Sequence, residues 1–332
     1  MANLPVTRAA HVIAFCEEFW RLGAPVQTQL ERARLPALLE EQPDAYVSYI
    51  FATSFVGQTA AAEGIEDVSW LGANALRDGQ LNASLRDAMF PAHTVSSRLK
   101  RFFVLSRIEN SNLRVEMRAH GNRVQIISKM DISKNTPGRD APNWTQVAFI
   151  IEAIRSIAGP DWAPATICFK TAFDVFHDAL EACDNTRIIT GAPTTAIYFS
   201  RQALSLRAQV ASMPQAHDQP ESVEMSDLDC LRSVLRPYFR GRPLAISEAS
   251  EILGTSVRTL QRRLQEHGTS YSELVDTTRF SIAADLLTHS DRRLIEVAIA
   301  IGYEDLSNFA RMFRKYAGMS LGEFRRAQAA RA

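Results

Sequence analysis

The 332-residue chain predicts an α+β domain followed by an all-α domain built from two helix-turn-helix units. Three observations lead there. One pattern is written twice in the last hundred residues, about 49 positions apart. Residues 207–226 lack periodic apolar positions and hold Pro214 and Pro220, which reads as a linker. Upstream of it, segments with helical spacing alternate with segments of period two. The domains expected are therefore 1–206, the linker 207–226, and 227–332.

The N-terminal domain opens with helical patterns over 9–21, 36–40, 44–63 and 81–90. A β-rich stretch follows. Residues 113–118 alternate polar and apolar, and 123–129 can pair with them across His120, Gly121 and Asn122. A helix is expected over 144–158, a strand over 166–169, a helix over 172–183 and a strand over 196–199.

In the C-terminal domain Leu228, Leu231 and Leu235 form the inward face of a first helix, with Ser226 able to cap it. The repeated units follow, at about 247–268 and 294–317. Gly254 and Gly302 each follow a short apolar helix, where a left-handed turn favours glycine. Ser256 and Asp305 are N-caps for the next helix. Val257, Leu260 and Leu264 share one stripe, and Leu306, Phe309 and Phe313 repeat that spacing. Gly268 and Gly318 end the helices, and Ser270–Glu273 and Ser320–Glu323 have the S-x-x-E form that opens another. The 19 residues 270–288 form a helical strut about 28 Å long. Such a strut can hold two recognition helices near one DNA turn apart, about 34 Å.

Burying each stripe turns the other face outward. That face carries Arg258, Gln261, Arg262 and Gln265 in the first unit, and Ser307, Ala310, Arg311 and Arg314 in the second. Arginine matches guanine and glutamine matches adenine at base edges, each good pair giving about 1–3 kcal/mol of discrimination. Two such helices make double-stranded DNA the expected partner.

Residues 228–330 resemble the DNA-binding domain of the AraC/XylS family of bacterial transcription regulators. The resemblance rests on Ser256, Leu260, Arg262, Leu264, Gly268, Ser270, Arg279, Ala283, Leu286, Leu287, Ile299, Ala300, Gly302, Tyr303, Phe309, Arg311, Phe313, Arg314, Gly318 and Ser320. Leu321 departs from the family, which usually has proline there. The resemblance implies an activator that contacts RNA polymerase and works as a homodimer. The order of elements upstream is similar to the arabinose-binding type of AraC effector domain. Phe169-Lys170-Thr171 stands where that subfamily often has histidine and proline, so the ligand does not carry over.

Charge is split between the domains although the net is zero. Residues 231–332 hold 16 Lys+Arg against 11 Asp+Glu, while residues 1–230 hold 21 against 26. The excess lies where phosphate contact is expected. Cys16, Cys168, Cys183 and Cys230 are scattered without C-x-x-C and read as reduced cytosolic thiols. No stretch reaches 18 apolar residues, so no membrane span is expected. G-x-S-x-G, H-E-x-x-H and G-x-x-x-x-G-K-[ST] are absent, and no enzymatic activity, cofactor or metal is expected. The His177–Asp178 pair reads as a surface histidine, and no cysteine has the neighbouring His-Arg pair that a tethered DNA-repair methyltransferase would show.

A small-molecule effector is the expected controller, with a partner protein or a neutral metabolite as alternatives. Residues 98–123 hold seven basic residues (Arg98, Lys100, Arg101, Arg107, Arg114, Arg118, Arg123) and two acids, a positive focus in a negative domain. Arg114 and Arg118 share one face of a strand, with the fork geometry that suits phosphate. Asp131 and Ser133 then complete a pattern similar to the cyclic di-GMP signature of PilZ domains, with Thr136 in its glycine place. The effector residues this suggests are Arg98, Arg101, Arg107, Arg114, Arg118, Asp131 and Ser133, for an anion such as cyclic di-GMP.

Overall fold

The computed structural model describes residues 5–36, 39–77, 92–130, 138, 141–208, 227–239 and 244–329. The helix expected over 81–90, most of the linker, and Asp131, Ser133 and Thr136 lie outside them. The chain divides into two compact units, residues 1–44 with 49–225, and 45–48 with 226–332. The α+β region followed by an all-α tandem helix-turn-helix is as the sequence predicts.

The front of the chain runs β1 (Val6–Arg8), α1 (Ala9–Arg21), α2 (Val26–Arg32), β2 (Tyr46–Ser48), α3 (Tyr49–Glu63) and α4 (Val68–Arg77). Two expected helices are corrected here. Pro36, Leu39 and Glu40 are not helical. Arg34 has already left the helical region at φ 57°, and Pro36 has no N–H to contribute to a helix. Residues 44–48 are not helical either, because Tyr46-Val47-Ser48 favours extended backbone and forms β2 before α3 begins.

Next comes α5 (Val95–Glu109), a helix where the sequence suggests β-structure. Its start is fixed locally. The Ser97 backbone N–H donates to Thr94 Oγ1 at 3.1 Å and the Thr94 N–H to Ser97 Oγ at 3.0 Å, a reciprocal capping pair. Val95, Leu99, Phe102 and Ser106 then form one buried stripe.

The hairpin β3 (Leu113–His120) and β4 (Arg123–Met130) pairs Leu113 with Met130 through to His120 with Arg123. Gly121, at φ 58°, takes the first place of a two-residue turn that an L side chain fits poorly. The remaining elements of this unit are α6 (Pro142–Ala158), β5 (Thr166–Cys168), α7 (His177–Ala182), β6 (Arg187–Ile189) and β7 (Thr195–Ser200). The sheet order is β3-β4-β7-β5-β6, antiparallel except for the β5–β6 pair. Residues 172–176, expected as helix, are not. Phe173 packs its ring on Phe169 at 5.1 Å, and Phe176 is extended at φ −68°, ψ 153°, so the helix starts only at His177. Val124, Ile126, Ile197 and Phe199 form the buried face of the sheet, in one core with Leu99 and Phe102 of α5 and Trp144, Val147 and Ile154 of α6.

The C-terminal all-α region has α8 (Asp227–Leu235), α9 (Ile246–Ile252), α10 (Val257–Glu266), α11 (Tyr271–His289), α12 (Leu294–Ala300), α13 (Leu306–Ala317) and α14 (Leu321–Ala329). Leu231 and Leu235 are fully buried and Leu228 half-buried, as the inward face requires. The strut α11 runs 19 residues and packs against α8, α12, α13 and α14. Ala283 and Leu287 of α11 join Val297, Ala298, Ile301, Phe309 and Phe313 in the second core. Gly254 and Gly302 sit at φ 59° and 84°, which makes both turns passable.

Candidate nucleic-acid interface and effector cavity

Each helix-turn-helix starts its two helices with side chains that take up orphan N–H groups. Glu248 Oε2 accepts from the Ala245 N–H and Glu296 Oε2 from the Arg293 N–H, both at 2.9 Å. Ser256 Oγ accepts from the Thr259 N–H at 3.1 Å, and Asp305 Oδ1 from the Asn308 N–H at 2.7 Å. That last bond holds the Asp305 carboxyl below its ordinary pKa. The matched glutamates, 48 residues apart, are a feature of the repeat that sequence reading passed over. Reach-back from the third helical residue is their signature.

In α10, Leu260 and Leu264 are fully buried, Val257 half-buried, and Arg258, Gln261, Arg262 and Gln265 all exposed. Arg262 Nε is 3.7 Å from Glu266 Oε1 with both side chains mostly in solvent, a pairing too weak to hold the guanidinium back from a stronger partner. In α13, Phe309 and Phe313 are buried, Ser307, Arg311 and Arg314 exposed, and Ala310 half-buried. Leu306 is the exception to the stripe. It is 38% exposed at the first position of α13, while Met312 joins Phe309 and Phe313 in the core. A cleft of about 730 Å³ beside α13 is lined by Asp276, Tyr303, Asp305, Asn308, Arg311 and Lys315, among others. Arg279, behind it, is buried with its guanidinium 5.0 Å from the Tyr303 ring. Its place is structural.

The basic stretch of the N-terminal unit is not one cluster. Arg98 is 2% exposed and donates to the Ala92 carbonyl and to Ser156 Oγ, both at 3.1 Å. Burial, then the charge of Arg101, lowers its pKa. It ties α5 to α6 and is withdrawn from the candidate anion site. Arg101 and Arg107 stand on α5, half-buried and exposed. Arg114, on β3, donates to the Ser111 and Leu113 carbonyls at 2.8 and 3.1 Å. Glu116 lies between Arg114 and Arg118 along the same strand face and takes Arg118 at 3.1 Å and Lys129 at 2.8 Å. Those bonds lower the Glu116 pKa, that from Lys129 most. His177 is exposed beside Glu181, 3.3 Å away, at the surface as expected.

What the sequence did not suggest is a cavity of about 100 Å³ inside the N-terminal unit. Its walls come from β1, α1, α3, α4, α5, α6 and the ends of β3 and β4, and include Val12, Phe15, Val56, Phe102, Leu113 and Phe149. Polar groups punctuate it. His11 Nε2 is 3.1 Å from Glu109 Oε2, and Arg8 Nε is 3.8 Å from Glu109 Oε1. Gln146 and Tyr49 also line it, both buried. Burial pushes the Tyr49 hydroxyl pKa up. No single segment encodes this space, so neither periodicity nor motif could reveal it.

Comparison with known proteins agrees with both halves. The arabinose-binding domain of AraC transcription regulators, N-terminal, matches residues 23–208, more than half of the chain. A helix-turn-helix domain family matches residues 249–327. The ornithine utilization regulator of Pseudomonas aeruginosa is 31% identical over 139 residues, 37% of this chain and 41% of that protein. GadX of Escherichia coli K12 is 36% identical over 113 residues, 30% of this chain and 41% of GadX. The matched part of the chain thus spans about two fifths of the length of these relatives. Among solved structures, CdpR of P. aeruginosa aligns over 93% of this chain and 98% of its own at 18% identity, with a TM-score of 0.37. The DNA-binding domain of AdpA, solved with a target DNA, aligns over 31% and 94% at 25% identity, TM-score 0.28. On the match of its N-terminal domain, which covers more than half its length, the chain belongs to the AraC family of transcription regulators.

Proposed function

We propose that the protein is a sequence-specific DNA-binding transcription regulator whose N-terminal unit binds a small-molecule effector. The observation that carries the DNA part is the pair of capped helices α10 and α13. Each is anchored by buried Leu or Phe and presents Arg258, Gln261, Arg262 and Gln265, or Ser307, Arg311 and Arg314, to solvent. Arginine and glutamine on a helix that enters the major groove can read base edges, and the basic excess of this domain supplies the phosphate term. Activation, contact with RNA polymerase and homodimerisation complete the reading, proposed on resemblance to the family alone. An effector controls such a device only by binding its two states unequally.

The test is selection of bound sequences from a random DNA pool by the full chain, then footprinting on the winner. A protected site with a base preference that relaxes on Arg262→Ala supports the reading. Enrichment of no sequence, or footprints that neither Arg262→Ala nor Arg311→Ala changes, would sink it. A second reading places an anion such as cyclic di-GMP on the basic stretch, supported by its charge excess and by the exposed Arg107, Arg118 and Arg123. Calorimetry with cyclic di-GMP on wild type and Arg118→Ala decides it, and absence of heat ends it.

A further inference from the structure

We propose that the N-terminal cavity is the effector site and that it takes a small, mainly apolar molecule carrying a carbonyl-type oxygen, not a sugar and not a nucleotide. This deepens the effector part of the reading above and rests on it. Size comes first. At about 100 Å³ the cavity is smaller than the 150 Å³ engineered cavity that binds benzene, so the body it holds has about four to six heavy atoms. A sugar, hydroxylated on nearly every carbon, and a cyclic dinucleotide are both too large. They are also too polar for walls made of Val12, Phe15, Val56, Phe102, Leu113 and Phe149.

The polar groups then fix the chemistry. The Ser128 hydroxyl donates to Gln146 Oε1 at 2.8 Å, so the Gln146 side-chain carbonyl is engaged. The amide nitrogen of Gln146, a residue 7% exposed, has no hydrogen-bond partner among the described residues. Tyr49, 4% exposed, has its hydroxyl 2.7 Å from Met130 Sδ, and a thioether is a weak acceptor. Ser128 and Met130 are two residues apart on β4, so both contacts fall on one face of that strand. Two under-used donors, Tyr49 O–H and Gln146 N–H, therefore belong to side chains that line one cavity, and buried donors call for an acceptor. The acid in the wall does not ask for a cation. Glu109 already has His11 and Arg8 beside it. A carboxylate, an amide or a ketone shares the required oxygen.

The full chain is titrated with isobutyramide, isobutyrate and isobutylamine, followed by methyl NMR and thermal shift. All three share one branched skeleton, and only the amine lacks the carbonyl. The expected result is saturable binding of the amide and the acid, with the tighter of the two showing whether the ligand oxygen is neutral or anionic. Tyr49→Phe weakens it about tenfold, the loss of one hydrogen bond at the upper end of its usual strength. Ala52→Phe, which fills the cavity, abolishes it. Should Ala52→Phe not fold, contacts from the wild-type Val12 and Val56 methyls to the ligand locate the site instead. Binding of none of the three, an amine as tight as the amide, binding that survives in folded Ala52→Phe, or absence of those methyl contacts overturns the assignment. A wild type that footprints DNA but binds no probe removes only the cavity assignment. One that fails to select DNA removes the regulator reading.

Discussion

The two helix-turn-helix units share a scaffold and differ in what they offer. Both have a reach-back glutamate, a left-handed glycine turn and a capped second helix. The first presents two arginines and two glutamines behind a neutral turn, Thr255-Ser256. The second presents Ser307, Arg311 and Arg314 behind Glu304-Asp305, both exposed acids next to where phosphate would lie. Those acids repel a phosphate backbone at the second turn itself, while Arg311 and Arg314 further along α13 attract it; the first turn is neutral. On the proposed reading the first unit reads bases with its arginines and glutamines, and the second holds the backbone through Arg311 and Arg314. The repeat kept its folding chemistry and let its surface chemistry diverge.

Five substitutions test that division. Phe313→Ala has the largest expected effect, about 3–5 kcal/mol, because it empties the centre of the second core. Urea unfolding measures it, and a loss under 1 kcal/mol would show that this core does not hold α13. Arg262→Ala should cost specific binding about 1–3 kcal/mol and relax one base position. Arg311→Ala should weaken binding to all sequences more evenly, and lower the salt slope by about 0.9. If competition footprints give the same base relaxation for both, the units are equals after all. Ser256→Ala removes the cap of α10 and should lower stability by about 1 kcal/mol by thermal melting, with binding affected only through the fraying of that helix. The smallest effect is in acid. Asp305 has a lowered pKa, so its capping contributes fully above the ordinary aspartate range and is lost as pH falls through the lower folded value. Asp305→Asn should flatten that acid limb in a pH series of melts, and an unchanged limb would place the acid sensitivity elsewhere.

How much of this was legible depended on range. Gly254, Gly302, Ser256, Asp305 and the stripes act within one or two turns, so the sequence showed them, and Arg258 and Arg311 stood on the outward faces by elimination. Leu306 broke the stripe where Val257, at the equivalent position, is half-buried, a difference in packing that spacing does not carry. Arg98 read as surface charge, yet its neighbours in space, Ala92 and Ser156, bury it. Most of residues 95–109 read as part of a basic, β-rich region although the Thr94–Ser97 pair marks a helix start, because Ser97 is an unusual residue in the reach-back position. The cavity drew on eight elements and had no local trace at all.

The strut α11 has one more implication. It is a continuous 19-residue helix with neighbours packed along it, so the offset and the angle between the two reading helices are set by a residue count. One extra residue at exposed Ser281 would turn everything downstream by about 100° and move it by about 1.5 Å. On the proposed reading, the spacing of the two half-sites on the DNA is therefore built into the protein as a ruler. An operator with about five base pairs, half a turn, inserted between those half-sites would present its second half on the opposite side of the duplex, out of reach of a rod that cannot twist to follow it.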